Sequence, residues 1–496
     1  MTPLRTVAPS LRVATATLLA VLLALGGCAT NPATGKRQIS LVSESKELAM
    51  GRESDPAVIQ EYGLYDNPGL QAYVDSVGQR LARVSHRPDL VWHFRVLDSP
   101  VVNAFAIPGG YIYITRGILP YMNSEAQLAG VLGHEIGHVT ARHSAQQITR
   151  SELAGIGLLA GMIFVDAFRP YGGLAQQGLG LLFLKYSRDD ESQADALGIE
   201  YAAKAGYDPR EIPQTYATLK RIGERQGSSL PSFLSTHPDP GDREVRTTEL
   251  ANATAASTRR SLEIDAVQYR RHLDGMVFGD DPRNGYFVAN RFYHPQMAFQ
   301  LIFPTGWQLT NQPSQVVAQN GASGPAMQLT LATSRDTTLT APQFVDSLRA
   351  RGEIVDMAGR AENFRDYPSA WVGSVIAKGS GGQSSFLAGW VQIGPGRYLQ
   401  VLGQADIGTP AADQIFASIR SIAALKDPAK LHVSPDRVEV KSTPRTESFA
   451  SVYAAFPNQA LSLEDASILN STRAGTTFLD GQPVKIVEKG DHPATN

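Results

Sequence analysis

The segment His134-Glu135-Ile136-Gly137-His138 decides how the chain is interpreted. In an α-helix, residues four apart lie on one face, about 40° around the axis and roughly 6 Å along it. The imidazoles of His134 and His138 can therefore reach one metal ion, and Glu135 can approach a water molecule on that ion. The pattern predicts a zinc site with two histidine ligands, in which Glu135 is the general base for peptide hydrolysis.

The surroundings of this segment favour a buried helix. A bare match is expected by chance in roughly one chain in a hundred of this length, and an amphipathic helix with two partly exposed histidines is the alternative. Buried imidazoles need polar partners, so apolar neighbours favour the metal site. These neighbours are Val131, Leu132, Ile136 and Val139, with Gly133 and Gly137 allowing another backbone to approach closely. The helix is predicted from Ser124 to about Thr149.

A third ligand must come from elsewhere, because catalytic zinc takes three protein ligands. The sole cysteine is Cys28, so no cysteine-rich site is available. Glu191 is the best candidate, since it lies one turn inside a helix capped by Ser187, with Asp195 on the same face. We assign Asp195 as a hydrogen-bond acceptor for a ligand histidine. The alternative is a solvated acidic helix start. His143 is predicted to lie on the opposite side of the His134 helix and not to be a ligand.

The amino terminus has the pattern of an export signal. Basic residues precede the apolar run Val13–Leu25, and Leu25-Gly26-Gly27-Cys28 resembles a bacterial lipobox. An ordinary signal peptide with an incidental cysteine is the alternative. Because the only cysteine falls at the cleavage site, we expect lipidation at Cys28. Because Ala29 rather than aspartate follows it, we expect anchoring to the outer membrane, with the catalytic domain in the periplasm.

The chain is predicted to be an α+β protein in several parts. After a signal peptide (1–27) and a linker (28–45), a mainly helical zincin-type protease domain with a small β-hairpin covers 46–254. A separate α+β domain follows at 285–425, and a small carboxy-terminal unit at 430–490.

Two apolar stretches interrupt the predicted protease domain, at 153–165 and 172–184. Each is too short to span a membrane. We interpret them as buried or covering helices, with a membrane-touching surface as the alternative. The whole chain has 45 basic and 47 acidic side chains and a net charge of −2, which gives no indication of nucleic-acid binding.

Four ordered motifs resemble the gluzincin metallopeptidase family that includes the CAAX prenyl proteases, HtpX and the periplasmic protease BepA. They are Asn103-Ala-Phe-Ala-Ile-Pro-Gly-Gly, His134-Glu-Ile-Gly-His138, Ser187-Arg-Asp-Asp-Glu191-Ser-Gln-Ala-Asp195, and Thr236-His237-Pro238 with Arg243. The resemblance covers under half of the chain. It implies one Zn²⁺ per chain, with Glu191 as the third ligand.

The resemblance also implies roles for residues outside the helix pair. His237 is expected near the metal, where it steadies the oxyanion or occupies the open zinc position, and Arg243 is expected to support that loop. An extended substrate is expected to pair with the strand formed by Asn103, Ala104, Phe105 and Ala106.

The expected function is a zinc endopeptidase that acts on misfolded or stalled envelope proteins in outer-membrane quality control. The alternative is a chaperone-like assembly factor whose protease site is latent and regulated by His237. BepA-like proteins carry tetratricopeptide repeats after the protease domain, whereas 251–496 shows no helical repeat. The 285–425 region weakly resembles PsbP or Mog-one modules, and 430–490 weakly resembles a LysM unit.

Overall fold

The computed structural model describes residues 28–153, 186–226, 233, 237, 240–379 and 382–493. The predicted signal peptide and the apolar stretches at 154–165 and 172–184 lie outside these residues. Within them the chain has mixed α+β architecture, as predicted. No helix among the described residues is long and apolar enough to cross a membrane.

The first half of the chain is mainly helical. Its strands are β1 (Cys28–Thr30), β2 (Arg37–Ile39), β3 (His93–Leu97), β4 (Ala104–Ile107) and β5 (Tyr111–Thr115). Its helices are α1 (Glu44–Tyr62), α2 (Pro68–Ala82), α3 (Glu125–Thr140), α4 (His143–Leu153), α5 (Arg188–Ala205), α6 (Ile212–Gln226), α7 (Pro240–Ser257) and α8 (Ala266–Leu273).

A three-stranded sheet in order β3-β5-β4 packs beside α3. Strands β4 and β5 form the predicted antiparallel hairpin, whose turn places Gly109 and Gly110 at φ 88° and 90°. Glycine adopts this conformation without the clash that a Cβ would cause. Strand β3 pairs with β5 in parallel. The sheet therefore holds β4 at one edge, against the helix that carries His134.

Helix α3 ends earlier than predicted. Ser124 caps its start as expected, but the helix ends at Thr140, and Arg142 adopts a positive φ of 60° before α4 begins at His143. The prediction of one helix to Thr149 was therefore wrong. The buried Arg142 guanidinium donates to Glu47 and to the carbonyl of Val42, which fixes the chain at this bend.

Helices α3 and α5 cross at small residues. A Cβ on Gly198 would lie 2.9 Å from the backbone nitrogen of His134, and one on Gly137 would lie 3.0 Å from the carbonyl oxygen of Ala194. Only glycine permits this spacing. The close crossing brings the motif helix and the helix of Glu191 together over one large apolar core.

The second half of the chain is rich in strands. Its first part contains β6 (Tyr286–Val288), β7 (Arg291–His294), β8 (Phe299–Ile302), β9 (Gln308–Gln312), β10 (Gln315–Gln319), β11 (Ala326–Thr333), β12 (Ile354–Glu362), β13 (Ala370–Gly379), β14 (Gly382–Gly394), β15 (Arg397–Gln404) and β16 (Ala423–Ala424). Its helices are α9 (Ala341–Ala350), α10 (Pro410–Arg420) and α11 (Pro428–Leu431). The strands form an antiparallel seven-stranded sheet, β12-β13-β14-β15-β11-β10-β9, and a four-stranded sheet, β16-β8-β7-β6.

The last part of the chain packs against the first half. It contains β17 (Arg437–Ser442), β18 (Glu447–Ser448), β19 (Thr477–Phe478) and β20 (Pro483–Glu488), with helices α12 (Phe449–Ala454) and α13 (Leu463–Leu469). Val438 and Ile468 belong to the same apolar core as α3. The buried side-chain nitrogen of Lys485 donates to the carbonyls of Pro120 and Met122, just before α3 begins.

The segment predicted as a linker, 28–45, contains the paired strands β1 and β2. This segment packs against the protein: Asn31 Nδ2 donates to the carbonyl of Ala141, directly after α3, and the side chain of Val42 is buried. This segment is thus a structured hairpin attached beside the end of α3.

Candidate metal centre

The two histidines of the motif meet at one point. Nε2 of His134 lies 3.0 Å from Nε2 of His138, and both side chains are buried. This follows from their spacing, because residues four apart on α3 project from one face. The prediction that both imidazoles can reach one ion is matched by this geometry.

Glu191 and His237 complete a group of four candidate ligands. Glu191 carboxylate oxygens lie 3.5 Å from Nε2 of both His134 and His138. His237 Nδ1 lies 3.0 Å from Glu191 Oε1 and 3.2 Å from His134 Nε2. All four ligand atoms lie within 4.8 Å of one another.

These separations suit zinc. Zinc binds histidine nitrogen and carboxylate oxygen at about 2.0–2.2 Å in tetrahedral geometry, so neighbouring ligand atoms stand about 3.3–3.5 Å apart. The observed 3.0 to 3.5 Å approaches that value for the pairs that involve Glu191, His134 and His138. The group could therefore hold Zn²⁺ with little rearrangement.

Asp195 lies behind His134, as expected. Its Oδ1 is 3.0 Å from His134 Nδ1, which places the imidazole proton on Nδ1 and leaves Nε2 free to bind a cation. Tyr216 donates to the same carboxylate at 2.6 Å. Arg243 Nη2 contacts it at 2.6 Å, and Arg246 Nη2 at 3.1 Å. Asp195 is therefore held as a carboxylate.

Arg243 was expected to support the loop of His237, and it also contacts the carboxylates of Glu191 and Asp195. Its guanidinium is buried, lies 2.8 Å from Glu191 and stacks 4.4 Å from the ring centroid of Tyr216. It bridges Glu191 and Asp195 from the first turns of α7. The contact of Tyr216 with Asp195 was not predicted, because nothing in the sequence of α6 marks one tyrosine as the partner of a distant aspartate.

His143 lies next to the centre, contrary to the prediction. Because α3 ends at Thr140, the chain bends and brings His143 Nδ1 to 2.9 Å from His138 Nδ1. His143 Nε2 lies 2.9 Å from Gln193 Oε1. When His138 donates from Nδ1 to His143, and His143 donates to Gln193, Nε2 of His138 is left to bind a metal. No sequence signal revealed this, since arginine rarely adopts the positive φ seen at Arg142.

Glu135 lies beside the four candidate ligands. Its side chain is 0% exposed, and neither carboxylate oxygen has a hydrogen-bond partner among the described residues. Nε2 of His237 lies 3.6 Å from Glu135 Oε1. A buried carboxylate without a hydrogen bond is costly, which is typical of a group kept for reaction rather than stability.

The pKa shifts follow from burial and from the acidic groups. Burial lowers the pKa of His134, but Asp195 and Glu191 outweigh it and raise that pKa to about 9. Burial also works to raise the pKa of Glu191, yet His237 and His134 hold it well below its usual range. Burial raises the pKa of Glu135. The site thus stabilises a positive charge between His134 and the carboxylates, and either a proton or a metal ion can supply that charge.

The strand expected to bind substrate lies close to this centre. Ala104, Phe105 and Ala106 are on β4, packed against α3, and their side chains are buried. Asn103 precedes the strand, and its carbonyl accepts from the backbone nitrogen of Thr115. Cys28 begins β1, far along the chain from these residues.

Comparison with known proteins agrees with this geometry. The model of peptidase family M48 matches residues 68–251, a range that includes His134, His138, Glu191 and His237.

The similar proteins include two named as metalloendopeptidases and one named as a protease. The mitochondrial metalloendopeptidase OMA1 of Arabidopsis thaliana is 33% identical over 49% of this chain and 49% of its own length. OMA1 of Schizosaccharomyces pombe is 33% identical over 43% of this chain and 63% of its own length. The beta-barrel assembly-enhancing protease of Escherichia coli K12 is 31% identical over 47% of this chain and 50% of its own length.

The chain spans about half the length of the curated relatives it matches. The matched part holds the buried histidine and glutamate cluster, together with the helices that carry it. Residues 68–251 of this chain form a peptidase family M48 domain.

Proposed function

We propose that the chain is a zinc-dependent endopeptidase that cleaves misfolded or stalled envelope proteins. The observation that carries the proposal is the buried group of His134, His138 and Glu191 beside Glu135, whose carboxylate has no hydrogen-bond partner among the described residues. A closed structural zinc site needs no such carboxylate.

Each residue has a role in this proposal. His134, His138 and Glu191 hold the metal, which supplies a Lewis acid that polarises the scissile carbonyl. Glu135 takes a proton from the attacking water and passes it to the leaving amine. Burial raises the pKa of Glu135, which makes its carboxylate a better acceptor for the proton of that water.

The substrate is proposed to bind as an extended strand along β4. This strand lies at one edge of the sheet order β3-β5-β4 and packs against α3, so a peptide beside it would pass close to Glu135. Backbone pairing of this kind depends little on the amino-acid sequence of the substrate, which suits an enzyme that cleaves unfolded chains.

The test is the variant Glu135→Gln. Cleavage of an unfolded test protein should fall by several orders of magnitude, while zinc remains bound because Glu135 is not a ligand. Glu200→Gln, whose side chain is 40% exposed on α5, is the matched control and should cleave normally. Normal cleavage by Glu135→Gln would refute the mechanism.

A second candidate is a chaperone-like assembly factor with a latent protease site. The position of His237 favours it, because Nδ1 lies where a fourth zinc ligand would lie, 3.0 Å from Glu191 Oε1. The variant His237→Ala distinguishes the endopeptidase from the assembly factor. Increased cleavage indicates a histidine that holds the site closed, and decreased cleavage indicates an oxyanion role. No change, together with inactive wild-type protein, favours the assembly factor.

We also propose a periplasmic location with a lipid anchor on Cys28. The support is the apolar run Val13–Leu25, followed by Gly26, Gly27 and the sole cysteine of the chain. Metabolic labelling with palmitate should mark the wild-type protein and not Cys28→Ser. Equal labelling of both would exclude this anchor.

A further inference from the structure

The β1–β2 hairpin exposes apolar side chains and buries polar ones. From Arg37 to Val42 alternate side chains point outward, and two of them are Ile39, 64% exposed, and Leu41, 49% exposed. Between them Ser40 is buried. A strand beside water normally shows the opposite arrangement, with polar residues outward.

This arrangement is fixed by hydrogen bonds. Asn31 Nδ2 donates to Gln38 Oε1 at 3.4 Å, and Ser40 Oγ donates to the carbonyl of Val42 at 2.8 Å. A slip of one residue would turn Ile39 and Leu41 inward, but it would break the contact between Asn31 and Gln38 across the hairpin. The outward apolar pair is therefore a defined feature of the fold.

The position of the hairpin indicates what covers the pair. Strand β1 begins at Cys28, directly after the apolar run Val13–Leu25, and Cys28 pairs with Ile39 across the hairpin. The inference rests on the lipid anchor proposed above for Cys28, which would place the membrane-attached point of the chain beside Ile39. A bilayer is thus the nearest apolar phase to this surface.

Charge agrees with that occupant. Lys36 and Arg37 are exposed in the same hairpin, next to the apolar pair. Basic residues at the edge of an apolar patch favour a membrane surface with anionic headgroups. We propose that Ile39 and Leu41, flanked by Lys36 and Arg37, lie in the interface of an anionic lipid bilayer.

The hairpin is also tied to the metal centre. Asn31 Nδ2 donates to the carbonyl of Ala141 at 3.1 Å, and the backbone nitrogen of Leu41 donates to Thr149 Oγ1 at 3.0 Å. Ala141 directly follows α3, the helix of His134 and His138. The bilayer-facing surface therefore holds the metal helix in a fixed orientation to the membrane, which a flexible linker would not do.

The test measures where these side chains lie. The full-length chain, purified from membranes, is reconstituted into vesicles of phosphatidylethanolamine and phosphatidylglycerol. Ile39→Cys and Leu41→Cys are each labelled with an environment-sensitive fluorophore. Ile407→Cys is the control, because Ile407 is 72% exposed in the strand-rich half. Unsubstituted protein, treated in parallel, measures any labelling of Cys28.

Labels at positions 39 and 41 should be quenched several-fold more by nitroxide lipids than the label at 407, and protected from aqueous iodide. Quenching should weaken when phosphatidylglycerol is omitted. Labels that behave like the one at 407 would overturn the proposal. Protection from iodide without lipid quenching would also overturn it, since that result indicates a protein partner.

Discussion

At Glu135, burial and the lack of a hydrogen-bond partner both lower the stability of the folded protein. The carboxylate is fully buried and has no hydrogen-bond partner among the described residues, and burial raises its pKa. The neighbouring carboxylates differ, because His237 and His134 hold the pKa of Glu191 below its usual range and Arg243 lowers the pKa of Asp195. Three buried acids in one site are thus divided into two fixed anions and one proton acceptor.

Asp195→Asn should weaken zinc binding by about 10–100-fold, the usual loss when the partner of a metal-binding histidine is changed. Asparagine keeps the shape but removes the charge that holds the proton on His134 Nδ1. Asp189→Asn, on the exposed start of α5, is the control and should bind zinc normally. Competition with a zinc-binding dye measures both. Equal affinity in the two variants would contradict the role of Asp195.

Zinc affinity should rise with pH up to about 9, the pKa of His134 in the metal-free chain. Below that pH the imidazole is protonated, so zinc must displace a proton, and the affinity falls by about tenfold per pH unit. The pKa of Glu191 is lowered, so it adds no dependence near neutrality. Zinc titrations at several pH values between 7 and 9 test this. A flat profile would mean that His134 is not protonated before zinc binds.

At the scale of elements, the close crossing of α3 and α5 brings the ligands together. It depends on glycines at the contact, among them Gly133, Gly137 and Gly198. The spacing of His134 and His138, and the capped start of α5, could be predicted because they depend on local sequence. The end of α3 could not, because it depends on Arg142 bonding to distant Glu47.

The residues of the metal centre also divide into those that local sequence predicts and those that depend on distant contacts. Glu191 and Asp195 could be proposed from their spacing on one helix. Tyr216 could not, because it reaches Asp195 only through the packing of α6. His143 was placed wrongly because a straight helix was assumed.

Gly198→Ala should lower the free energy of unfolding by about 1–3 kcal/mol, the usual cost of overpacking a tight contact. Its Cβ would stand 2.9 Å from the backbone nitrogen of His134, so α3 and α5 must move apart. Gly475→Ala is the control, since nothing lies within 4 Å of its added Cβ. Thermal unfolding compares the two variants. If both unfold at the wild-type temperature, the crossing tolerates a side chain.

At the scale of the whole molecule, the last part of the chain shares a core with the metal-binding half. Val438 and Ile468 pack into the core that includes α3, whereas the seven-stranded sheet has apolar cores of its own. Lys485 reinforces this contact at the loop before α3. The end of the chain therefore stabilises the motif helix, although residues 437–488 supply none of the four candidate ligands.

Lys485→Met should destabilise the protein by about 1–3 kcal/mol, because the carbonyls of Pro120 and Met122 each lose a buried donor. Burial lowers the pKa of Lys485 well below its usual range, so wild-type stability should rise with pH towards the pKa of free lysine, and the loss in Lys485→Met should grow over that range. Lys489→Met is the control, on the exposed end of the same segment. Unfolding temperatures measure the difference, and equal values would show that this contact contributes nothing.

The most direct test of the central claim is the zinc content of the purified full-length chain, measured by elemental mass spectrometry. We predict one zinc ion per chain in the wild-type protein and in Glu135→Gln, and its loss in Glu191→Ala. A wild-type chain that binds no zinc when zinc is supplied, or a Glu191→Ala variant that keeps it, would contradict the assignment of His134, His138 and Glu191 as the metal ligands.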